Sequence, residues 1–218
     1  MTDSGFSETL QFVTERAIAS FEDIHGAREL ALGECRKAIQ LASRSIRATH
    51  RGEFEEASKL VSESGTSVAW AVEALGAQPA LRSSGFLTDG EKEYAEAAIT
   101  LAFVQGATLP TPEDLNTGYA SYLNGLAEAA SELRRSALDA IRNSDTQKAD
   151  RLLSMMDEAM SVLTSVDFPE GVTGGLRRTT DQLRAVTERT RGDVTQAIRQ
   201  ASLERRLSDL ESELGKQG

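Results

Sequence analysis

The sequence predicts an all-α protein, a single-domain bundle of six to seven helices across residues 1–218. Three observations point that way. Alanine is abundant, aromatic residues make up only 5% of the chain, and proline occurs four times. Apolar residues recur three and four apart through most of the length, the spacing of one helix face. No run alternates with the period of two that a half-buried strand requires.

The elements follow in order. Residues 4–49 carry a stripe of Leu10, Val13, Ala17 and Phe21, then a second of Leu30, Cys35, Ala38, Ile39, Ala42 and Ile46. His50, Arg51 and Gly52 mark a corner, because glycine is favoured just past a helix end. A second helix over 53–76 places Ala57, Leu60, Val68, Ala71 and Leu75 on one face. A loop follows at 76–87, and Thr88 with Glu91 fits a capping box that opens a helix reaching about Gln105. After Gly106 comes a loop in which Thr111 can cap and Pro112 can occupy the first helical position. Helices are expected at 114–143, 145–165 and 173–200, with the break between the last two at D-F-P-E-G, 167–171. A short charged helix or tail closes the chain over 203–218.

Composition excludes several classes. The single cysteine, Cys35, makes neither an internal disulfide nor a cysteine-based metal site and reads as a small core residue. The N-terminus has no basic, then apolar, leader pattern, and no apolar stretch reaches the roughly 20 residues of a membrane span. A soluble, cytoplasmic protein is the expectation. The net charge of −10 opposes phosphate binding, yet only five basic residues are lysine and 19 are arginine. An acidic, lysine-poor chain suits a salt-adapted prokaryote, and its overall charge then reflects the solvent more than the ligand.

Two pairs of acids carry potential chemistry. Glu93 and Glu96 lie three apart on one predicted helix; Glu128 and Glu132 lie four apart on another. Both spacings bring like charges together on one face, amid alanine and leucine. Arginine partners such as Arg134 and Arg135 could neutralise them, or a divalent cation could. Four carboxylates suit Mg²⁺, Mn²⁺ or Ca²⁺ better than Zn²⁺. A di-iron pattern is absent, since Ile99 and Arg135 stand where Glu-x-x-His would need histidine. A plain solvated face remains the alternative. Residues 171–206 hold eight arginines against four acids, so this segment is net +4 in an acidic chain. It can track phosphates or make ion pairs.

With these residues in view, the sequence resembles the translin family. The likeness rests on I-R-A-T-H-R-G (46–52), E-Y-A-E-A (93–97), Y-L-N-G-L-A-E-A-A-S-E-L-R-R (122–135), D-F-P (167–169), L-R-R (176–178) and E-R-T-R-G-D (188–193). The resemblance implies an all-α, translin-like protomer assembling into a shell-like homo-oligomer, of the hexamer to octamer class, that binds single-stranded RNA or DNA. Members resembling the translin-associated factor imply a Mg²⁺- or Mn²⁺-dependent endoribonuclease acting on short single-stranded RNA. Its catalytic and metal residues carry over to Glu93, Glu96, Glu128 and Glu132, with Glu128 where the family pattern has aspartate. Arg47, His50, Arg51, Arg177, Arg178 and Arg184 are the candidate nucleic-acid contacts. A non-catalytic binding shell and a purely structural helical oligomer are the alternative readings.

Overall fold

In this computed structural model the described residues are 3–76, 79–82 and 84–215. Among them the chain forms α1 (Asp3–Arg51), α2 (Phe54–Leu75), α3 (Pro79–Arg82), α4 (Gly85–Gln105), α5 (Pro112–Leu115), α6 (Tyr119–Arg142), α7 (Thr146–Thr164), α8 (Glu170–Thr173) and α9 (Leu176–Gly215). No strand occurs among the described residues. Six helices are long and three are single turns, so the predicted all-α bundle is what the chain builds. No described helix is long and apolar enough to cross a membrane.

Several boundaries differ from expectation. The helix assigned to Thr88 opens earlier, at Gly85, and Thr88 donates its hydroxyl to the Gly85 carbonyl from inside the first turn. Glu91, the presumed capping partner, instead accepts from Ser121 Oγ and from the backbone of Gly118 at the start of α6. A carboxylate there satisfies otherwise free N-terminal groups of α6 and complements its dipole. The expected 114–143 helix is split, because Asn116 adopts a left-handed conformation after α5. The capping box of Thr111 and Asp114, with Pro112 at the first position, does form. The loop assigned to 76–87 holds α3, although residues 77, 78 and 83 lie outside the described set. The separate C-terminal helix merges into α9, which runs unbroken to Gly215; residues 216–218 lie outside the described set.

Helices α4 and α6 stand in the middle. On one side α1 and α2 pair as an antiparallel hairpin against α4, and on the other α7 and α9 close over α6. Leu41, Ala48, Ala57, Leu60 and Leu101 fill the first interface. Ile99, Leu126, Leu133, Met156, Leu163, Leu176 and Leu183 fill the second. Alanine dominates the buried positions of α4 and α6, which allows short interaxial distances. The closest approach is at Gly125. A Cβ there would lie 2.8 Å from the Lys92 carbonyl oxygen and 3.0 Å from the Glu96 nitrogen. Glycine at this position therefore brings the acidic turns of α4 and α6 face to face.

Candidate metal centre

Around that glycine three of the four predicted glutamates converge. Glu93 and Glu96 project from α4 and Glu128 from α6, and one carboxylate oxygen of each lies within 4.8 Å of the others. Glu132, one turn further along α6, is held apart by His50, whose Nε2 lies 2.6 Å from its carboxylate. The His50 side chain is 2% exposed. It therefore faces the acids from the end of α1 and not the solvent, unlike its arginine neighbours.

Lys92 completes the cluster. Its Nζ donates to Glu128 at 2.8–2.9 Å and lies 3.3 Å from Glu93. Burial lowers the basicity of this lysine, but its bonds to Glu128 and Glu93 outweigh that and hold it above the ordinary value. Glu96 receives no such partner. It is 8% exposed, and burial, reinforced by the charges of Glu128, Glu93 and Glu132, pushes its carboxyl up to about 9. At neutral pH Glu96 holds a proton. One proton and one ammonium thus offset two of the three converging carboxylates.

Three carboxylates gathered at one point form an all-oxygen donor set, which fits a hard divalent ion such as Mg²⁺, Mn²⁺ or Ca²⁺. The nitrogen and sulfur donors favoured by Zn²⁺ are missing from the set. Glu128 reaches the group from the turn of α6 that follows the close contact at Gly125.

The arginines named from sequence lie elsewhere. Arg47 and Arg51 are exposed at the α1 corner, the first bonded to Ser43 and the second to Glu53. Arg177, Arg178 and Arg184 are exposed and line a groove of about 1130 Å³ with Phe168 and Pro169. Arg184 is paired with Asp181 at 2.8 Å. Elsewhere in the basic segment, Arg191 bonds Asp157 at 2.5 Å. Arg134, considered as a partner for the glutamates, turns instead to Asp193 at 2.9 Å.

Sequence reasoning missed Lys92 and the role of His50. A signal existed for the first: Lys92 precedes Glu96 by four residues, so both share a helix face. Nothing in the local sequence pairs His50 with Glu132, 82 residues away.

Comparison with known proteins agrees with this architecture. No family model matches the chain. Over 124 residues it is 28% identical to an uncharacterized protein of Methanocaldococcus jannaschii; the match covers 56% of this chain and 55% of that relative, about half of its length. Among solved structures, AfC3PO is 30% identical, with a TM-score of 0.77 over 84% of this chain and 96% of that one. The AfC3PO–duplex RNA complex is also 30% identical, with a TM-score of 0.73, covering 84% and 95%. Apo-NeC3PO, at 16% identity and a TM-score of 0.75 over 84% and 96%, shows the likeness of fold alone. Near-complete coverage of the AfC3PO chain at this identity, on the same all-α architecture, means that the chain belongs to the translin family.

Proposed function

We propose that this protein is a nucleic-acid-binding member of its family that cleaves short single-stranded RNA at a divalent-metal centre. The observation carrying this reading is the convergence of Glu93, Glu96 and Glu128 at the α4–α6 contact, with Glu96 buried deeply enough to resist ionisation. Burying a carboxylate beside two others is unfavourable unless a cation is to be held there. AfC3PO, a structural relative, has been captured with duplex RNA, which supports a nucleic-acid ligand.

In this reading Glu93, Glu96 and Glu128 hold Mg²⁺ or Mn²⁺. Such an ion, when bound, polarises phosphate and lowers the pKa of water. The chain's own residues do the rest. Gly125 sets the distance between the two acidic helices. His50 fixes the rotamer of Glu132, leaving that carboxylate as a proton acceptor beside the three ligands. Lys92, bonded to Glu128, would supply a positive charge beside the site that can meet a phosphate. Arg47 and Arg51 at the α1 corner, and Arg177, Arg178 and Arg184 along the groove beside Phe168, supply candidate phosphate contacts. A shell of several copies would enclose the substrate.

One observation favours the second reading, a non-catalytic binding shell: Lys92 pairs with both Glu128 and Glu93 and offsets one of their two charges. The deciding experiment measures cleavage and retention of short single-stranded RNA, with Mg²⁺ or Mn²⁺ and with chelator, across salt. Wild type is compared with Glu96→Gln and Glu128→Gln. Metal-dependent cleavage lost in both variants supports the nuclease. RNA retained without cleavage selects the shell, and neither retention nor cleavage leaves a structural oligomer.

A further inference from the structure

The first half of α1 has no counterpart to pack against. Helices α2 and α4 bury α1 from Ala31 onward, where Cys35, Ala71, Leu75 and Leu87 close over it, and Arg28 over the Phe86 ring of α4 is the contact just before that point. The residues before that project as a lone helix of about 40 Å. Its apolar side chains are bare: Phe6 is 68% exposed, Leu10 52% and Val13 56%. A single helix of this kind has little reason to persist in water without a partner.

Its pattern is that of a coiled coil. Counting from Phe6 at a d position, the a and d positions are Phe6, Leu10, Val13, Ala17, Ser20, Ile24, Ala27 and Ala31. Every outermost f position in this span is glutamate: Glu8, Glu15, Glu22 and Glu29. Past Glu34 at a d position, the same register continues through Ala38, Leu41, Ser45 and Ala48, which are buried against α2 and α4. The exposed seam is therefore the continuation of an interface the protein already uses.

We propose that this seam is an interaction surface whose partner is the same seam of a second copy, paired antiparallel. Charge selects the register. Antiparallel coils bring g positions of the two helices together, and here those are Thr9, Arg16, Asp23 and Leu30. Matching Leu10 with Ala27 of the second copy, and Val13 with Ile24, sets Arg16 against Asp23 of the second copy, twice by symmetry. A large residue then faces a small one, Leu10 against Ala27. Slipping one heptad either way opposes Arg16 to itself or Asp23 to itself, which is repulsive. Parallel pairing is disfavoured sterically. Both copies would have to admit their own α2 and α4 between the two α1 helices just past Ala31, whereas the antiparallel arrangement places the two bundles at opposite ends of the shared coil.

The test is the mass of the full-length protein by light scattering and sedimentation velocity. Wild type is expected at a higher mass than Leu10→Glu/Val13→Glu, twofold if the bundle is otherwise monomeric, with the thermal unfolding of the bundle unchanged because both positions are exposed. Arg16→Asp and Asp23→Arg are each expected to weaken this association on the order of tenfold, since each turns two attractive pairs repulsive. The double swap, Arg16→Asp/Asp23→Arg, restores it. An unchanged mass in the leucine–valine variant overturns the proposal. So does failure of the double swap to rescue, the result expected if the seam binds another segment, such as the exposed Leu203, Leu207, Leu210 and Leu214 of α9.

Discussion

Replacing Glu96 with glutamine should change how stability depends on pH, in a direction the structure dictates. The folded carboxyl titrates near 9, whereas in the unfolded chain it titrates near the ordinary 4.5. Between those values the native state holds a proton that the unfolded state has lost. Stability contributed by this group is therefore complete below about pH 4.5 and declines as pH rises toward 9. Each pH unit inside that window removes at most about 1.4 kcal/mol. From pH 6 to pH 8 the loss is about 2–3 kcal/mol before local relaxation reduces it. Glutamine is close in shape to the protonated acid and does not titrate. The variant should match wild type near pH 4.5 and become progressively more stable than it up to pH 9. Urea unfolding of both proteins in chelator, at several pH values, gives the difference directly, and subtracting one from the other cancels the titrating groups that do not interact with Glu96. A wild-type-minus-variant difference that stays flat between pH 5 and pH 9 would refute the assignment of a buried, protonated Glu96.

Other consequences are checked by similar means. Gly125→Ala gains about 1 kcal/mol of helix propensity, but its methyl meets backbone at 2.8 and 3.0 Å, so α4 and α6 must part. Overpacking of this kind costs about 1–3 kcal/mol. A lower urea midpoint is expected together with weaker Mn²⁺ binding by calorimetry; unchanged values of both would mean the helices do not approach as described. Lys92→Met removes the ammonium that competes for Glu128, and should tighten Mn²⁺ binding while weakening RNA retention. Equal affinity for Mn²⁺ in the two proteins argues against competition. His50→Ala leaves Glu132 unsupported and should lower metal-dependent cleavage about 10- to 100-fold, with His50→Asn recovering part of it. Loss of global stability of the same size in both variants would reduce His50 to a packing role.

Much of this was legible from spacing. The stripes along α1 and α2 follow the helical period closely enough to reveal the elements. Glu93 and Glu96, and likewise Glu128 and Glu132, share helix faces because three and four residues make about one turn. Boundaries were less legible. Ser84 and Gly85 start α4 where a better capping sequence stood at Thr88, because Glu91 is drawn across to the N-terminus of α6. Tertiary demand outweighed a local preference. The division among the four acids was invisible for the same reason: only the fold shows that His50, from the far end of α1, takes Glu132 away from the other three.

That division bears on how the site can work. Four ionised glutamates at one contact would repel strongly, and the protein resolves the problem three ways. Glu96 keeps a proton, Glu128 and Glu93 share Lys92, and Glu132 takes His50. Of the three solutions only the first two lie among the carboxylates that converge within 4.8 Å. These three carboxylates would hold a divalent ion only with the Glu96 proton gone and the Lys92 ammonium turned aside from Glu128. Affinity for the ion should consequently rise with pH below about 9, with up to one proton released for each ion bound, and it should rise again when Lys92 is removed. If loading released no proton anywhere between pH 6 and pH 8, the three carboxylates would not be the ligands.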